Sequence, residues 1–523
     1  MISITKNSEP KSSIINASWN IGWTVWSTII NFVMTPILIN HIGDSHYGTY
    51  VLLTSISGIL GIFNLGLGEA TLRYVAFYYS KDDLNGINRV VGSTFLVYCV
   101  SGLLGFVVLF IGAPQLVQYL AIDSNDIQLI IKLLQITAFS FCLNLINGVL
   151  DAIPKAMQRY DINTKVVIFQ SFLMFIGNLI ILFSNRGIFE LVLWSSASVL
   201  IIIFINYVVA KRLIPGLKLY PTFSKDGIKE VFGYGFFSML TSILSLIWGQ
   251  ADRLLLGSLV SSSSVAYLSV PQSMAMRGSS AIGNAGSVLF PKFAVITDNQ
   301  ERKKIYLDAT WLLLTATVTI FVPFTVLFPK FLILWVGPEF AAKSAFIGQL
   351  IAFSCIPRGA FVPYDSLFKG IGKPKYLTLL YLLTGITSLA TNLLLIPKFG
   401  LAGAGYSYLI TLVWGFITVI LTWIKIFDER TIKPLLRAVC APIIEGLLLL
   451  PILSFVNNAI GDIGWIKIFG TMLLFMLVVF LVLVGLDYLF GKKNWHFRPV
   501  FNYIHTIVST LIRRFSPKGQ QIE

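Results

Sequence analysis

Apolar residues run in blocks of about twenty along nearly the whole chain, with short polar breaks between them. A helix needs about 20 apolar residues to cross the hydrocarbon of a bilayer, where the backbone must satisfy its own hydrogen bonds. The pattern therefore predicts an all-α, polytopic membrane protein of about 14 transmembrane helices. Spans fall near residues 14–40, 47–66, 90–112, 128–150, 164–184, 188–210, 232–258, 265–288, 308–328, 344–367, 376–396, 402–424, 437–456 and 465–490. The polar stretch Met1 to Lys11 leads into the first span without the short apolar core and small-residue cleavage site of a secretory signal, so the N-terminus is expected to be retained.

Charge adds an orientation. The loops after the even-numbered spans carry the Lys and Arg residues, among them Arg73, Lys81 and Arg89, then Lys155, Arg159 and Lys165, then Lys369, Lys373 and Lys375. With both termini, that face holds 30 of the 39 basic residues, against six near the opposite face. The positive-inside rule then puts both ends of the chain in the cytoplasm. After the last span, Val500, Phe501, Ile504, Val508, Leu511 and Phe515 recur at helical spacing beside His505, Arg513 and Arg514. This predicts a cytoplasmic amphipathic tail over 491–523 lying on the anionic leaflet.

Composition agrees with the pattern: 56% hydrophobic, 12% charged and a mean hydropathy of +0.79, far from the charge content of soluble domains. The net charge of +15 raises the question of nucleic acid, but it sits between helices, which leaves no nucleic-acid surface. Cys99, Cys142, Cys355 and Cys440 lie in apolar stretches without metal-ligand spacing and are read as small buried hydrophobes.

The chain also resembles itself. Ala138-Phe139-Ser140 returns as Ala352-Phe353-Ser354, Asp151 as Asp365, and Asn178-Leu179 as Asn392-Leu393, all displaced by 214. Tyr50 matches Tyr267 at an offset of 217. Spans one to six thus correspond to spans seven to twelve, giving an N-terminal lobe over 1–215, a second lobe over 216–430 and two extra helices over 431–490. Each repeat has an even number of spans, so both enter the membrane from the same side and the pseudo-twofold axis is expected along the membrane normal. A cavity between such lobes, opened to each face in turn, is the arrangement of alternating access.

Several segments carry a family resemblance. They include Gly48-Thr49-Tyr50, Leu65-Gly66-Leu67-Gly68 and Leu72-Arg73-Tyr74 in the first repeat. The second supplies Ala251-Asp252-Arg253-Leu254-Leu255-Leu256-Gly257, Leu289-Phe290-Pro291-Lys292, Leu334-Trp335-Val336-Gly337-Pro338-Glu339-Phe340 and Gly370-Ile371-Gly372-Lys373-Pro374. In order and spacing these resemble the polysaccharide transport branch, the oligosaccharide and O-antigen flippases, of the multidrug/oligosaccharidyl-lipid/polysaccharide exporter superfamily. The resemblance implies export of undecaprenyl-diphosphate-linked oligosaccharide across the inner membrane for a surface polymer, with membrane lipids and the polymerase or other assembly proteins as further partners.

An anionic cargo suits the charges inside the spans. Arg253, Arg277 and Arg358 fall in spans seven, eight and ten. A guanidinium in hydrocarbon costs at least a few kcal/mol, so it faces a wet cavity and a partner, and its fork of donors matches phosphate. These three are the candidate diphosphate ligands, with neutralisation by a nearby carboxylate as the plainer alternative. Asp252 adjoins Arg253 and points about 100 degrees away from it, so the two need different partners. Arg73 and Lys292 mark the cytoplasmic ends of spans two and eight, where they attract an anionic lipid or simply obey the positive-inside rule. Asp151, Asp365, Asp252 and Glu69 are the candidates for coupling to a proton or sodium gradient; hydration at helix ends explains such acids equally well. Pro36, Pro271, Pro357 and Pro363 are placed to permit kinks.

Two other function classes compete. A membrane glycosyltransferase or polymerase needs an acid-base pair or metal ligands on one face, usually in a sizeable external loop, whereas the longest outer connections cover only about 113–127 and 329–343. His41, His46, His496 and His505 lie outside the spans and form no motif, and no phosphate-binding glycine loop is present, so no enzyme and no cofactor is expected. A cation-coupled drug exporter would carry acids in the membrane without the matching arginines.

Overall fold

The computed structural model describes residues 10–64, 67–120, 126–286, 288–373, 375–428, 431–461 and 464–490. The expected amphipathic tail lies outside the described residues. Sixteen α-helices follow in order: α1 (Pro10–Leu60), α2 (Leu67–Tyr79), α3 (Leu84–Gln118), α4 (Ile127–Ala156), α5 (Tyr160–Phe183), α6 (Ile188–Leu213), α7 (Lys225–Leu259) and α8 (Ser262–Gly286). Then come α9 (Leu289–Val295), α10 (Asn299–Trp335), α11 (Pro338–Ser354), α12 (Arg358–Gly370), α13 (Lys375–Phe399), α14 (Leu401–Lys425), α15 (Lys433–Ala459) and α16 (Trp465–Phe490). The chain is an all-α, multi-pass membrane protein. Ten of the described helical segments are individually long and apolar enough to cross a bilayer, eleven with the bent pair α11 and α12. α8 is absent from that set because its serines, Gln272, Arg277 and Asn284 dilute the apolar run.

The helices depart from the expected spans in two informative places. α1 carries the first expected span and most of the second in 51 residues, about 77 Å at 1.5 Å per residue and more than twice the hydrocarbon thickness. It breaks at Gly43, whose φ of 78° and ψ of 165° suit a residue without a side chain, and this break separates the two spans. The tenth expected span is broken too: α11 and α12 meet at 45° across residues 355–357. Pro357 lacks the donor that would continue the α11 ladder, and Ile356 before it is biased away from helical geometry. The buried carbonyl of Ile356 is satisfied by the Thr317 hydroxyl of α10 at 2.7 Å.

Packing groups the described helices into two compact units, one within Met1–Val270 and Thr384–Ser407, the other within Pro271–Leu383 and Tyr408–Glu523. In the first, α4 packs between α3 and α6, and α1 lies on α5. Leu133, Leu134, Ala138 and Val192 fill one core region of this unit. Val90, Tyr98, Val149 and Ile153 fill another. In the second unit α10 is central, packed by α11, α12, α15 and α16. Two-thirds of its apolar window is buried, more than in any other span, which makes it a core helix where its neighbours face lipid. α7, the first helix of the second sequence repeat, packs on α1, α2 and α3.

Candidate functional site

In the first unit the two sequence repeats touch each other through equivalent residues. Ser45 Oγ lies 3.0 Å from Ser262 Oγ, and the two positions are 217 apart, the same displacement that relates Tyr50 to Tyr267. Equivalent residues of the two sequence repeats are therefore in direct contact here. Gly48 brings the second leg of α1 against the backbone at the start of α8: a Cβ there would sit 1.8 Å from the Ser262 carbonyl oxygen. Tyr267 of α8 donates a 2.6 Å hydrogen bond to Asp44, next to the Gly43 break. Together these form a clasp between the turn of spans one and two and the turn of spans seven and eight.

The same α7 is held at its other end. Glu230 accepts hydrogen bonds from the Tyr78 hydroxyl at 2.8 Å and from Arg89 at 3.0 Å, and Arg89 donates to the Tyr78 oxygen at 2.7 Å. Burial, reinforced by the Glu230 carboxylate, pushes the Tyr78 phenol above its ordinary pKa, so it remains a donor at physiological pH.

Asp252 and Arg253 occupy the half of α7 nearer the clasp. Asp252 is buried at 4% exposure and accepts the Arg253 backbone N–H at 2.8 Å, while the Arg253 guanidinium donates to Gln250 at 3.3 Å.

The second unit gathers the other two intramembrane arginines on adjoining helices. Arg358 is the first residue of α12, at the mouth of the break, and Arg277 lies half-buried in the middle of α8. The helices meet at this level, where the Cys355 thiol lies 4.0 Å from the Ala275 carbonyl. Gln272 of α8 also donates to the Tyr408 hydroxyl. The backbone N–H groups of Arg358 and Ala360 already donate to the Cys355 and Pro357 carbonyls, at 3.2 and 2.9 Å, so the positive charge at this end is chiefly the Arg358 guanidinium, with the helix dipole behind it. A broken span whose half-helix N-terminus carries a guanidinium is suited to an anion.

The candidate acids are otherwise engaged. Asp151 pairs with Lys155 and accepts from Asn163 at 2.5 Å; Asp365 pairs with Lys369 at 2.6 Å and accepts from Tyr381 at 3.0 Å. Glu69 is exposed in the first turn of α2, Arg73 is exposed and lies over the Tyr74 ring, and Lys292 is exposed on α9. The structure brings Arg277 and Arg358 onto touching helices of one unit; Arg73 and Arg253 belong to the other, so the five candidate cations are not one cluster within either.

Sequence reading passed over Ser45, Ser262 and Asp44, although the offset of 217 already pointed to them. It also passed over Glu445 of α15 and Asp487 of α16, two acids inside expected spans, of which Asp487 is 7% exposed.

Comparisons with known proteins agree on one lineage. The profile of a family described as polysaccharide biosynthesis protein matches residues 14–297. A Shigella flexneri protein named for O-antigen transport is 23% identical over 411 residues, covering 77% of this chain and 95% of its own. An uncharacterised membrane protein of Methanocaldococcus jannaschii is 25% identical over 434 residues, covering 78% and 82%. Among solved structures, the lipid II flippase MurJ in an inward closed conformation aligns with a TM-score of 0.71 over 92% of this chain and all of that one, at 14% identity. An inward-facing multidrug transporter of the same superfamily aligns at 0.61 over 75% and 94%, also at 14% identity, which speaks to fold alone. With more than half its length matched, the chain belongs to the polysaccharide biosynthesis protein family.

Proposed function

We propose that this protein is a flippase that carries undecaprenyl-diphosphate-linked oligosaccharide repeat units across the bacterial inner membrane, by alternating access, for surface polysaccharide biosynthesis. The observation that carries the reading is the placement of Arg358 at the N-terminus of the half-helix α12, beside the α8 helix that bears Arg277. Two fixed positive charges inside membrane spans are costly unless an anion uses them, and a diphosphate offers oxygens that guanidinium forks bind in pairs. Neither arginine can deprotonate to escape that cost. The names of the relatives support the same cargo class: O-antigen transport for one and lipid II for another.

Both termini face the cytoplasm in this reading, with Arg73 and Lys292 gathering the anionic carrier at the inner leaflet. Coupling to a proton or sodium gradient through Asp151, Asp365, Asp252 or Glu69 belongs to the same proposal. The test is transport of a defined lipid-linked oligosaccharide into or out of liposomes. Arg277→Ala and Arg358→Ala proteins that insert normally should each lose at least about tenfold in rate, the equivalent of one weakened charged contact. Parental rates in both variants would refute the diphosphate assignment. An unchanged ion and pH dependence in Asp151→Asn and Asp365→Asn would refute coupling there.

A further inference from the structure

Away from the arginines, α3, α4 and α6 of the first unit enclose a groove of about 570 Å³, within the range of about 300–1,000 Å³ common for small-ligand sites. Phe110, Phe139 and Phe189 line it with aliphatic neighbours, and Lys132 is the only charged residue in its wall. In a bilayer such a wall gives little preference among hydrocarbon chains, since lipid tails are as apolar as the side chains. Selectivity must come from the polar elements, and these have a direction.

Lys132 lies five residues into α4, about 8 Å along the axis from Ile127, and its flexible stem lets the ammonium reach phosphate level. It is exposed and has no hydrogen-bond or ion-pair partner among the described residues. Gln135, on the same wall, adds amide donors one turn deeper. Phe189 borders a second, polar cleft of about 380 Å³ lined also by His41, His46, Asn185 and Arg186. In that cleft Arg186 lies 3.7 Å from Glu190, which offsets its charge, and the His46 ring nitrogen lies 3.8 Å from Asp126. Beyond the Lys132 ammonium the cleft offers the amide of Asn185 and the ring nitrogens of His41 and His46 as hydrogen-bonding groups.

We propose that this groove is a binding site for an anionic phospholipid with a small hydroxylated head, phosphatidylglycerol in chemistry. One acyl chain lies along the aromatic wall, the phosphate meets Lys132, and the glycerol head reaches past Phe189 to the hydrogen-bonding groups of the polar cleft. A polyprenyl phosphate would fill the groove but leave those groups unused. Assignment of the site to the outer leaflet rests on the orientation proposed above; the binding itself does not.

The test is lipid retention by the purified full chain in native mass spectrometry, titrated with phosphatidylglycerol and with phosphatidylcholine of the same chains. The parent should retain phosphatidylglycerol in preference. Lys132→Gln should weaken it about fivefold, the effect of one basic residue at a membrane surface, and Lys132→Arg should restore it. Ala197→Trp fills the groove while leaving Lys132 in place, and should abolish retention. Arg277→Ala should retain the lipid like the parent, which separates this site from the proposed cargo site. Parental binding by both Lys132→Gln and Ala197→Trp, or displacement of phosphatidylglycerol by lower concentrations of polyprenyl phosphate, would overturn the proposal.

Discussion

Gly48→Ala should open the clasp where the two repeats touch. A Cβ on residue 48 would stand 1.8 Å from the Ser262 carbonyl oxygen and 2.6 Å from its carbonyl carbon, both backbone atoms that no side-chain rotation can remove. Relief to an ordinary carbon-oxygen separation of about 3.3 Å requires a local shift of about 1.5 Å. That shift carries the Ser45 and Ser262 hydroxyls, now 3.0 Å apart, out of hydrogen-bond range and strains the 2.6 Å bond from Tyr267 to Asp44. Overpacking costs typically about 1–3 kcal/mol. Adding loss of the Tyr267–Asp44 hydrogen bond, which remains when residues 45 and 262 are cysteines, at about 1 kcal/mol brings the total to about 3 kcal/mol. At 1.4 kcal/mol per decade this is about a hundredfold change in the balance between clasped and unclasped states.

The readout is disulfide formation between cysteines placed at 45 and 262 in a chain whose Cys99, Cys142, Cys355 and Cys440 have been replaced. Hydroxyls 3.0 Å apart are compatible with the geometry of a disulfide, so the parent should cross-link rapidly under mild oxidant. From an even balance, a hundredfold shift leaves about 1% clasped, and the cross-linking rate should fall in proportion. Tyr267→Phe, which removes the hydrogen bond to Asp44, should slow it about threefold from the same even balance and covers the case in which Gly48→Ala fails to insert. Gly470→Ala in α16, where an added Cβ meets nothing within 4 Å, should leave the rate unchanged. Equal rates for the parent and Gly48→Ala would refute the argument that this close approach holds the clasp shut. For an alternating-access transporter, the cross-linked chain should also stop transporting and recover on reduction.

Three further outcomes follow from the geometry. Arg358→Lys keeps the charge at the start of α12 but loses the bidentate fork, so transport should fall by less than in Arg358→Ala yet remain below the parent in the liposome assay. A double-mutant cycle of Arg89→Ala with Glu230→Gln should give a coupling of about 1 kcal/mol in chemical denaturation, given side chains 35% and 25% exposed; additive effects would rule out the contact as a stabilising link. The Arg159 guanidinium, through two hydrogen bonds, holds the Asp161 carboxyl below its ordinary value of 3.8, so this contribution is complete above that value and lost as pH falls through the folded pKa. Asp161→Asn should therefore lower the unfolding temperature slightly at pH 7, by less than about 1 kcal/mol of stability, and match the parent at strongly acidic pH.

The membrane fold was legible because hydrocarbon leaves the backbone few options, and a run of twenty apolar residues has one inexpensive solution there. What escaped was interruption. Pro357 was recognised as a site that permits a kink, but nothing in the one-dimensional pattern showed that α11 and α12 would bend by 45° and start a new helix at Arg358. The break depends on Thr317 from another helix capping the Ile356 carbonyl, which is a tertiary fact. Likewise α2, Leu67–Tyr79, lies wholly beyond the expected end of the second span near residue 66, and it is held there because Ala70, Thr71 and Val75 are buried against neighbouring helices. The candidate site was half legible: charge in a span marks a residue as costly, but only packing tells which costly residues share a unit.

The acids carry a further argument about duplication. Asp151 with Lys155 and Asp365 with Lys369 are the same ion pair in each repeat, both members displaced by 214, one helical turn apart on α4 and on α12. Their remaining partners differ, an asparagine on α5 in one repeat and a tyrosine on α13 in the other. A pair present at both repeat positions serves each repeat alike, whereas the proposed translocation of one cargo calls for charge that the repeats do not share. Arg277 and Arg358 have no such counterparts: displacement by 217, the offset that relates Tyr50 to Tyr267 in the same spans, puts Leu60 opposite Arg277, and displacement by 214 puts Asn144 opposite Arg358. Exchanging the asymmetric residues, with Arg358→Asn in the second repeat and Asn144→Arg in the first, should therefore fail to restore transport, although the number of guanidiniums in the spans is unchanged. Restored transport would mean that charge anywhere near the pseudo-axis suffices, and that the start of α12 has no special part in holding the cargo.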